Sequence, residues 1–180
     1  MHEKLSLKYI TFRTPLGWLL VAQSPDGIAL VDFLGPDRPS EHIAISTVLD
    51  KYPGSTPSPG ADSGLLGKTK AYILAYLTNG TPLPKIPLDL RKGSRFDRSV
   101  WHEIEAIAFG QSCSYGQIAA KAQSAGASRA VGRACGRNPV PILIPCHRVI
   151  GSGGKLGGYS GGLHIKRSLL ELEGIERLKN

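Results

Sequence analysis

The sequence predicts an α/β fold of the α+β kind. A small antiparallel sheet with helices forms the first half, and a mostly helical second half contains a helix-turn-helix. Three observations predict it. β-branched and aromatic runs of strand length are concentrated between Leu7 and Leu34. Helical spacing dominates afterwards. Two serine capping signals, Ser114 and Ser128, stand on either side of the glycine-containing stretch Ser124-Ala125-Gly126-Ala127. A chain of 180 residues holds one large domain or two small ones. Pro82, Pro84 and Pro87 mark an extended crossing, so the expected division is 1–91, a sheet-plus-helix scaffold, and 92–180, which carries the chemistry.

The elements follow in order. Leu7 to Phe12, Gly17 to Gln23 and Ile28 to Leu34 read as strands of antiparallel hairpins, with Ser24-Pro25-Asp26-Gly27 as a turn. Glu41 to Tyr52 has helical spacing through Ile45, Val48 and Leu49 and ends before Pro53. The run Pro53 to Gly60 sustains neither periodicity and reads as an exposed loop. Leu65 to Thr78 predicts a helix with Leu66, Ile73, Leu74 and Leu77 as its stripe, stopped by Asn79-Gly80. Asp97 is expected to cap a helix that turns Val100, Trp101, Ile104, Ile107 and Ala108 inward, with Gly110 closing it. Ser114 and Gln117 have capping-box spacing, so a helix begins at Tyr115 and runs through Ala122. Ser128 is expected to cap a second, from Arg129 to Cys135. Two short helices about a glycine turn match a helix-turn-helix, and they equally match a plain αα-hairpin.

Composition narrows the function. No stretch approaches the roughly 18–20 apolar residues that span a bilayer, and Met1-His2-Glu3-Lys4 lacks the pattern of a signal peptide. A soluble, cytoplasmic protein is expected. Its three cysteines, Cys113, Cys135 and Cys146, are odd in number and fit no usual zinc spacing. The charge is uneven: ten Lys/Arg against eight Asp/Glu through Lys92, then twelve against six from Gly93 onward. That asymmetry suits either ordinary solubility or a polyanion-binding face.

Two features of the second half carry chemistry. Pro145-Cys146-His147-Arg148 follows an Asn138-Pro139 pair and the apolar run Val140 to Ile144. Such a setting presents a thiol on a rigid support, and a neighbouring His or Arg favours its thiolate, the nucleophilic form. Upstream, Arg129-Ala130-Val131-Gly132-Arg133-Ala134-Cys135-Gly136 interleaves arginines with small residues. A helix so slim suits close approach to a narrow surface such as the DNA minor groove, about 6 Å wide; small residues also serve plain helix packing. Gly157-Gly158 and Gly161-Gly162 do not make a phosphate loop, because no Lys-Ser/Thr pair follows. His2 and His42 read as solvated surface residues, and His102 and His164 as surface or packing residues.

These residues carry a resemblance. Arg129 to Gly132, Asn138-Pro139, Ile142 to Val149 and Tyr159-Ser160-Gly161-Gly162 stand in the order and spacing of the O6-alkylguanine-DNA alkyltransferases, the methylated-DNA–protein-cysteine methyltransferase family. The chain is similar to that family from Phe96 to about Gly174, and the first half resembles it only in outline. The resemblance implies a DNA repair protein that binds duplex DNA through the minor groove and flips out the damaged guanine. It then takes the O6-alkyl group irreversibly onto its own cysteine, with O4-alkylthymine as a further substrate. Cys146 would be the acceptor. His147 would draw off its proton through water, and Glu173 would orient that histidine. Asn138 would brace the cysteine loop, and Tyr115 would donate to the purine as the leaving oxygen gains charge. Ser160 would contact O6, Tyr159 would wall the pocket, and backbone groups near Cys146 and Val149 would read the base edge. Arg129 would fill the vacated stack, and Ala130, Arg133, Cys135 and Gly136 would complete the DNA-facing helix. Arg137 is expected to add a further phosphate contact, and Arg148 to bridge structure.

The resemblance also implies a monomer without cofactor, working in the cytoplasm at the nucleoid, or in the nucleus of a eukaryote, and this chain's own cysteine placement leads to the expectation of no metal. Some family members hold zinc or a disulfide in their first domain; no cysteine precedes Cys113 here. The alternative is a DNA-binding protein that recognises alkylated bases without transfer, and the presence of Cys146 weighs against it. Redox and hydrolytic cysteine enzymes fit less well, since there is no Cys-x-x-Cys and the histidine is sequence-adjacent.

Overall fold

The computed structural model describes residues 4–176, so His2 and Arg177 lie outside the described residues. The chain divides into two compact units, meeting in sequence between Leu90 and Arg91. In the first, β1 (Ser6–Thr14), β2 (Gly17–Ser24) and β3 (Gly27–Gly35) form an antiparallel meander. Alternate residues of β2 point to opposite faces, yet Leu19, Leu20, Val21 and Ala22 are all buried. A sheet covered on both faces explains that unbroken apolar run. On one face, Leu20, Ala22 and Leu30 meet Ala44, Val48 and Tyr52 from α1 (Glu41–Lys51) and its end. α2 (Gly64–Asn79) packs on β1, β2 and β3 through Leu66, Ile73, Tyr76 and Leu77, and Gly80 ends it in the left-handed conformation at φ +66°. Leu49, expected inward, is exposed, and Leu74 is half-buried.

The sheet is mixed rather than antiparallel. Thr56–Pro59, expected as loop, forms β4 and pairs parallel with β1 at the edge, giving the order β3-β2-β1-β4. Its prolines do not prevent this. The Thr56 N–H donates to Leu5 O at 2.9 Å and the Gly60 N–H to Tyr9 O at 2.7 Å. Pro57 and Pro59 take the alternate positions, whose missing N–H faces away from the sheet. The proline-rich passage then straps back over β3. The Ile28 N–H donates to Pro87 O at 2.8 Å, and the Asp89 N–H donates to Ile28 O at 2.9 Å. Gly27 is required there, since a Cβ would sit 2.6 Å from Pro87 O.

The second unit is mostly helical. α3 (Arg95–Glu105) is capped by Ser94, not Asp97; Asp97 is the third residue of the helix and completes a capping box with Ser94. Val100, Trp101, Ile104 and Ile107 are buried as expected, whereas Ala108 is exposed. The helix ends five residues before Gly110. The Trp101 indole N–H donates to Ala134 O at 2.9 Å, tying α3 to α5 (Ser128–Gly136). α4 (Tyr115–Lys121) starts with the expected Ser114–Gln117 box, and α4 and α5 make the helix-turn-helix pair. Ser128 does not cap α5: Ala127 occupies the cap position, and Ser128 is the first helical residue. Before α4, β5 (Cys113–Ser114) pairs parallel with β6 (Val149–Ile150). This short ladder fixes the start of α4 beside the segment that follows Cys146. α6 (Leu163–Leu172) closes the unit.

Candidate active site

The segment between α5 and β6 is a succession of tight turns. Ile144 N–H donates to Val140 O at 3.0 Å, Cys146 N–H to Ile144 O at 2.7 Å and Arg148 N–H to Pro145 O at 2.9 Å. The run Val140 to Ile144 is therefore not a strand. Ile142 sits within it at φ +74°, a left-handed conformation that a β-branched residue rarely adopts, and is 1 % exposed. Cys146 through Arg148 then form a single 3-10 turn.

Asn138 holds these turns from the inside. Its amide Nδ2 donates to Ile144 O at 2.9 Å and to Cys146 Sγ at 3.2 Å, and its Oδ1 accepts from the Val140 N–H at 3.0 Å. One buried side chain thus fixes both the loop and the sulfur. Cys146 is 3 % exposed. Burial pushes its thiol pKa up, while the Asn138 hydrogen bond and the nearby Lys166 ammonium oppose the rise. The sequence neighbours His147 and Arg148 both meet Glu173.

Glu173 caps the end of α6 and is buried rather than solvated. Its carboxylate meets His147 Nε2 at 3.0 Å, Arg148 Nη2 at 2.8 Å and Nε at 2.9 Å, and the Gly110 N–H at 3.1 Å. Arg148 also donates to Ile107 O at 2.6 Å. Burial lowers the His147 pKa more than Glu173 raises it, so the imidazole is neutral near pH 7. The carboxylate accepts from Nε2–H, which leaves Nδ1 as the basic nitrogen.

The remaining residues separate into those that share a cavity and those that do not. A cavity of about 620 Å³ is lined by Tyr115, Arg129, Gly132, Arg133, Cys135, Gly136, Cys146, Gly158, Tyr159 and Ser160. Seven of the predicted site residues, Tyr115, Arg129, Arg133, Cys135, Gly136, Tyr159 and Ser160, therefore surround the Cys146 sulfur. Arg129 and Arg133 are exposed at its rim. Tyr115 lies over Gly157, whose Cβ would come within 2.7 Å of the phenol oxygen, so that position has no room for a side chain. Burial, with the two nearby thiols, pushes the Tyr115 pKa up to about 12, keeping the phenol a donor. Ala130 and Val149 do not line the cavity. The Val149 N–H donates to Cys146 O, and its carbonyl accepts from Lys166. Arg137, expected on phosphate, is held by Asp97, with Nη2 to Oδ1 at 2.6 Å.

Lys166 was not expected from the sequence. It is fully buried, with Nζ 2.7 Å from Val149 O and 3.4 Å from Gly158 O and lying 6.0 Å over the Tyr115 ring. Burial lowers its pKa, opposed by Cys146 and Cys135. A signal existed: Lys166, Leu169 and Leu170 stand at i, i+3 and i+4, the buried face of α6. Among the described residues no group of three or more His, Cys, Asp or Glu is arranged to hold a metal ion, and no helix is long and apolar enough to cross a membrane.

Residues 95–175 match the family profile described as 6-O-methylguanine DNA methyltransferase, DNA binding domain. The chain is 49 % identical over 118 residues to a methylated-DNA–protein-cysteine methyltransferase of Mycobacterium bovis, covering 66 % of this chain and 68 % of that one. It is 42 % identical over 150 residues to the corresponding protein of Mycolicibacterium paratuberculosis, covering 83 % and 88 %. Among solved structures it is similar to Mycobacterium tuberculosis OGT in complex with DNA. There the TM-score is 0.75 at 35 % identity, with 97 % of this chain and 95 % of that one covered.

Proposed function

Since the chain belongs to the methylated-DNA–protein-cysteine methyltransferase family, we propose that Cys146 is the acceptor of its activity and that the array around Cys146 divides the work. The protein is an O6-methylguanine-DNA methyltransferase, a DNA repair enzyme, and it binds DNA. The observation that carries the assignment of roles is the Asn138 amide on the Cys146 sulfur, inside a cavity shared with Tyr115, Tyr159 and Arg129.

In this reading Cys146 Sγ attacks the carbon bonded to guanine O6. The S–C bond forms as the C–O6 bond breaks, and the electron pair leaves with the oxygen. The thiol proton passes through a water to His147 Nδ1, whose imidazolium is balanced by Glu173. Charge developing on the purine is offset by the Tyr115 hydroxyl, and Ser160 contacts the leaving oxygen. Asn138 stabilises the sulfur as it takes on charge, and Lys166 adds a fixed cation behind it. The slim α5 enters the minor groove. Arg129 fills the space left by the flipped base, which offsets part of the few kcal/mol lost on unstacking. A thioether is a stable end point, so each monomer acts once, in the compartment that holds the DNA.

Mixing the protein with a duplex that contains one O6-methylguanine should add one methyl per molecule by intact mass, mapped to Cys146. Cys146→Ala should abolish the gain. Multiple turnover, or a methyl on Cys113, would contradict the assignment. A protein that bound the duplex without gaining mass would instead fit the alternative, an alkyl-base-binding protein without transfer.

A further inference from the structure

Two thiols face one cavity. Cys135 lines it beside Cys146, and its own pKa is raised to about 12, first by burial and then by the charge of Cys146. Cys135 therefore stays protonated and acts as a small apolar side chain with a weak S–H donor, not as a competing nucleophile. On α5 it stands between Gly132 and Gly136, at i, i+3 and i+4 of one face. Gly132 lies against Tyr115, where a Cβ would touch the ring at 3.7 Å, and a Cβ at Gly136 would meet nothing within 4 Å. On this stretch of wall, below the exposed arginines, the one side chain is that of Cys135.

Displacement geometry gives that wall a consequence. In-line attack fixes sulfur, carbon and oxygen on one line, so any group the carbon carries besides hydrogen projects sideways, against the cavity wall. A methyl carries no such group, whereas a benzyl group carries a ring. We propose that Cys135 is the specificity-determining residue for the size of the transferred alkyl group: small, and flanked by two glycines, it leaves room beside Cys146 for a substituent as large as an aromatic ring. The cavity volume of about 620 Å³ falls within the roughly 300–1,000 Å³ of sites that enclose drug-sized ligands. This inference rests on the reading of Cys146 as the acceptor.

The test compares single-turnover rate constants on two duplexes of one sequence, one with O6-methylguanine and one with O6-benzylguanine. The DNA is the same, so the benzyl-to-methyl ratio isolates the pocket from the grip of α5 on the groove. Cys135→Phe should lower that ratio by about tenfold or more, and Cys135→Met by a smaller factor. Melting temperature and circular dichroism check that each variant is folded. Should Cys135→Phe not fold, Cys135→Met alone still decides the matter. A ratio within about twofold of the parent's in a folded variant overturns the proposal. If the parent transfers neither group to Cys146, the functional reading itself fails; if it transfers methyl while the ratio ignores residue 135, only the size determinant fails.

Discussion

His147 is fully enclosed, and a proton on it would stand next to the Arg148 guanidinium with no solvent to screen the pair. Burial therefore holds its pKa below the ordinary value of about 6.5. The sign follows from linkage. A group depressed in the folded state contributes stability that is present above its unfolded pKa and is lost as pH falls through the folded one. The same proton would occupy the nitrogen that accepts from Cys146. The single-turnover methyl-transfer rate should thus decline on the acid side of neutrality, approaching about tenfold per pH unit. Rapid-quench rates from about pH 8 down to the lowest pH at which the protein stays folded check this, and a decline centred above the ordinary imidazole value of about 6.5 would count against His147 as the proton acceptor. Sequence made Cys146 legible as a presented thiol with His147 as its neighbouring base, because the two are adjacent, whereas the role of Asn138 came through the family resemblance. It gave Glu173 its role only through the family resemblance; 26 positions separate it from His147, and only the folding of α6 encloses it. Arg148 shows the coupling most plainly: it neutralises the carboxylate that His147 also uses, and removing one partner of such a buried pair costs about 3–5 kcal/mol.

The element boundaries followed the same division between local and long-range causes. The Ser114 box was legible because both partners lie within four residues. Asp97 and Ser128 misled, since each is a good capping residue placed inside the first turn rather than before it. Their helices supply a direct comparison. Ser94 accepts from the Asp97 N–H and caps α3, whereas Ser128 makes no cap bond to α5. Ser94→Ala should destabilise the protein by about 1 kcal/mol, and Ser128→Ala should stay within about 0.5 kcal/mol. Urea denaturation at constant m measures both, and similar losses would argue against the cap assignment. β4 was hidden for another reason: its pairing partner, β1, lies some fifty residues earlier, and a proline-rich run gives no period-2 signal of its own.

At the scale of the whole molecule, the formal net charge of +8 is an incomplete guide to DNA binding. Five of the basic residues from Gly93 onward fall into two groups. Arg148, Lys166 and Arg137 are engaged by Glu173, by Val149 O and by Asp97. Arg129 and Arg133 are exposed on the cavity rim. Counting charges therefore overstates the number that can neutralise phosphates. Affinity for duplex should fall as salt rises, and Arg133→Ala should flatten the log–log slope by about 1. A slope unchanged by Arg133→Ala would mean that α5 does not lie along the backbone. The uneven charge was legible from composition, but which arginines remain available was not, because pairing such as Arg137 with Asp97 joins residues forty positions apart.

The left-handed turn at Ile142 bears on which sequences this loop tolerates. Its shape is imposed from outside: local preference disfavours φ +74° for isoleucine by about 1–2 kcal/mol, and enclosure of the side chain offsets that cost. Two kinds of residue can meet those terms, glycine, which removes the backbone penalty, or a large apolar residue, which repays it by packing. Alanine, serine and threonine satisfy neither condition. Position 142 is accordingly a ridge with two acceptable ends and a poor middle, where stepwise shortening of the side chain is worse than deleting it.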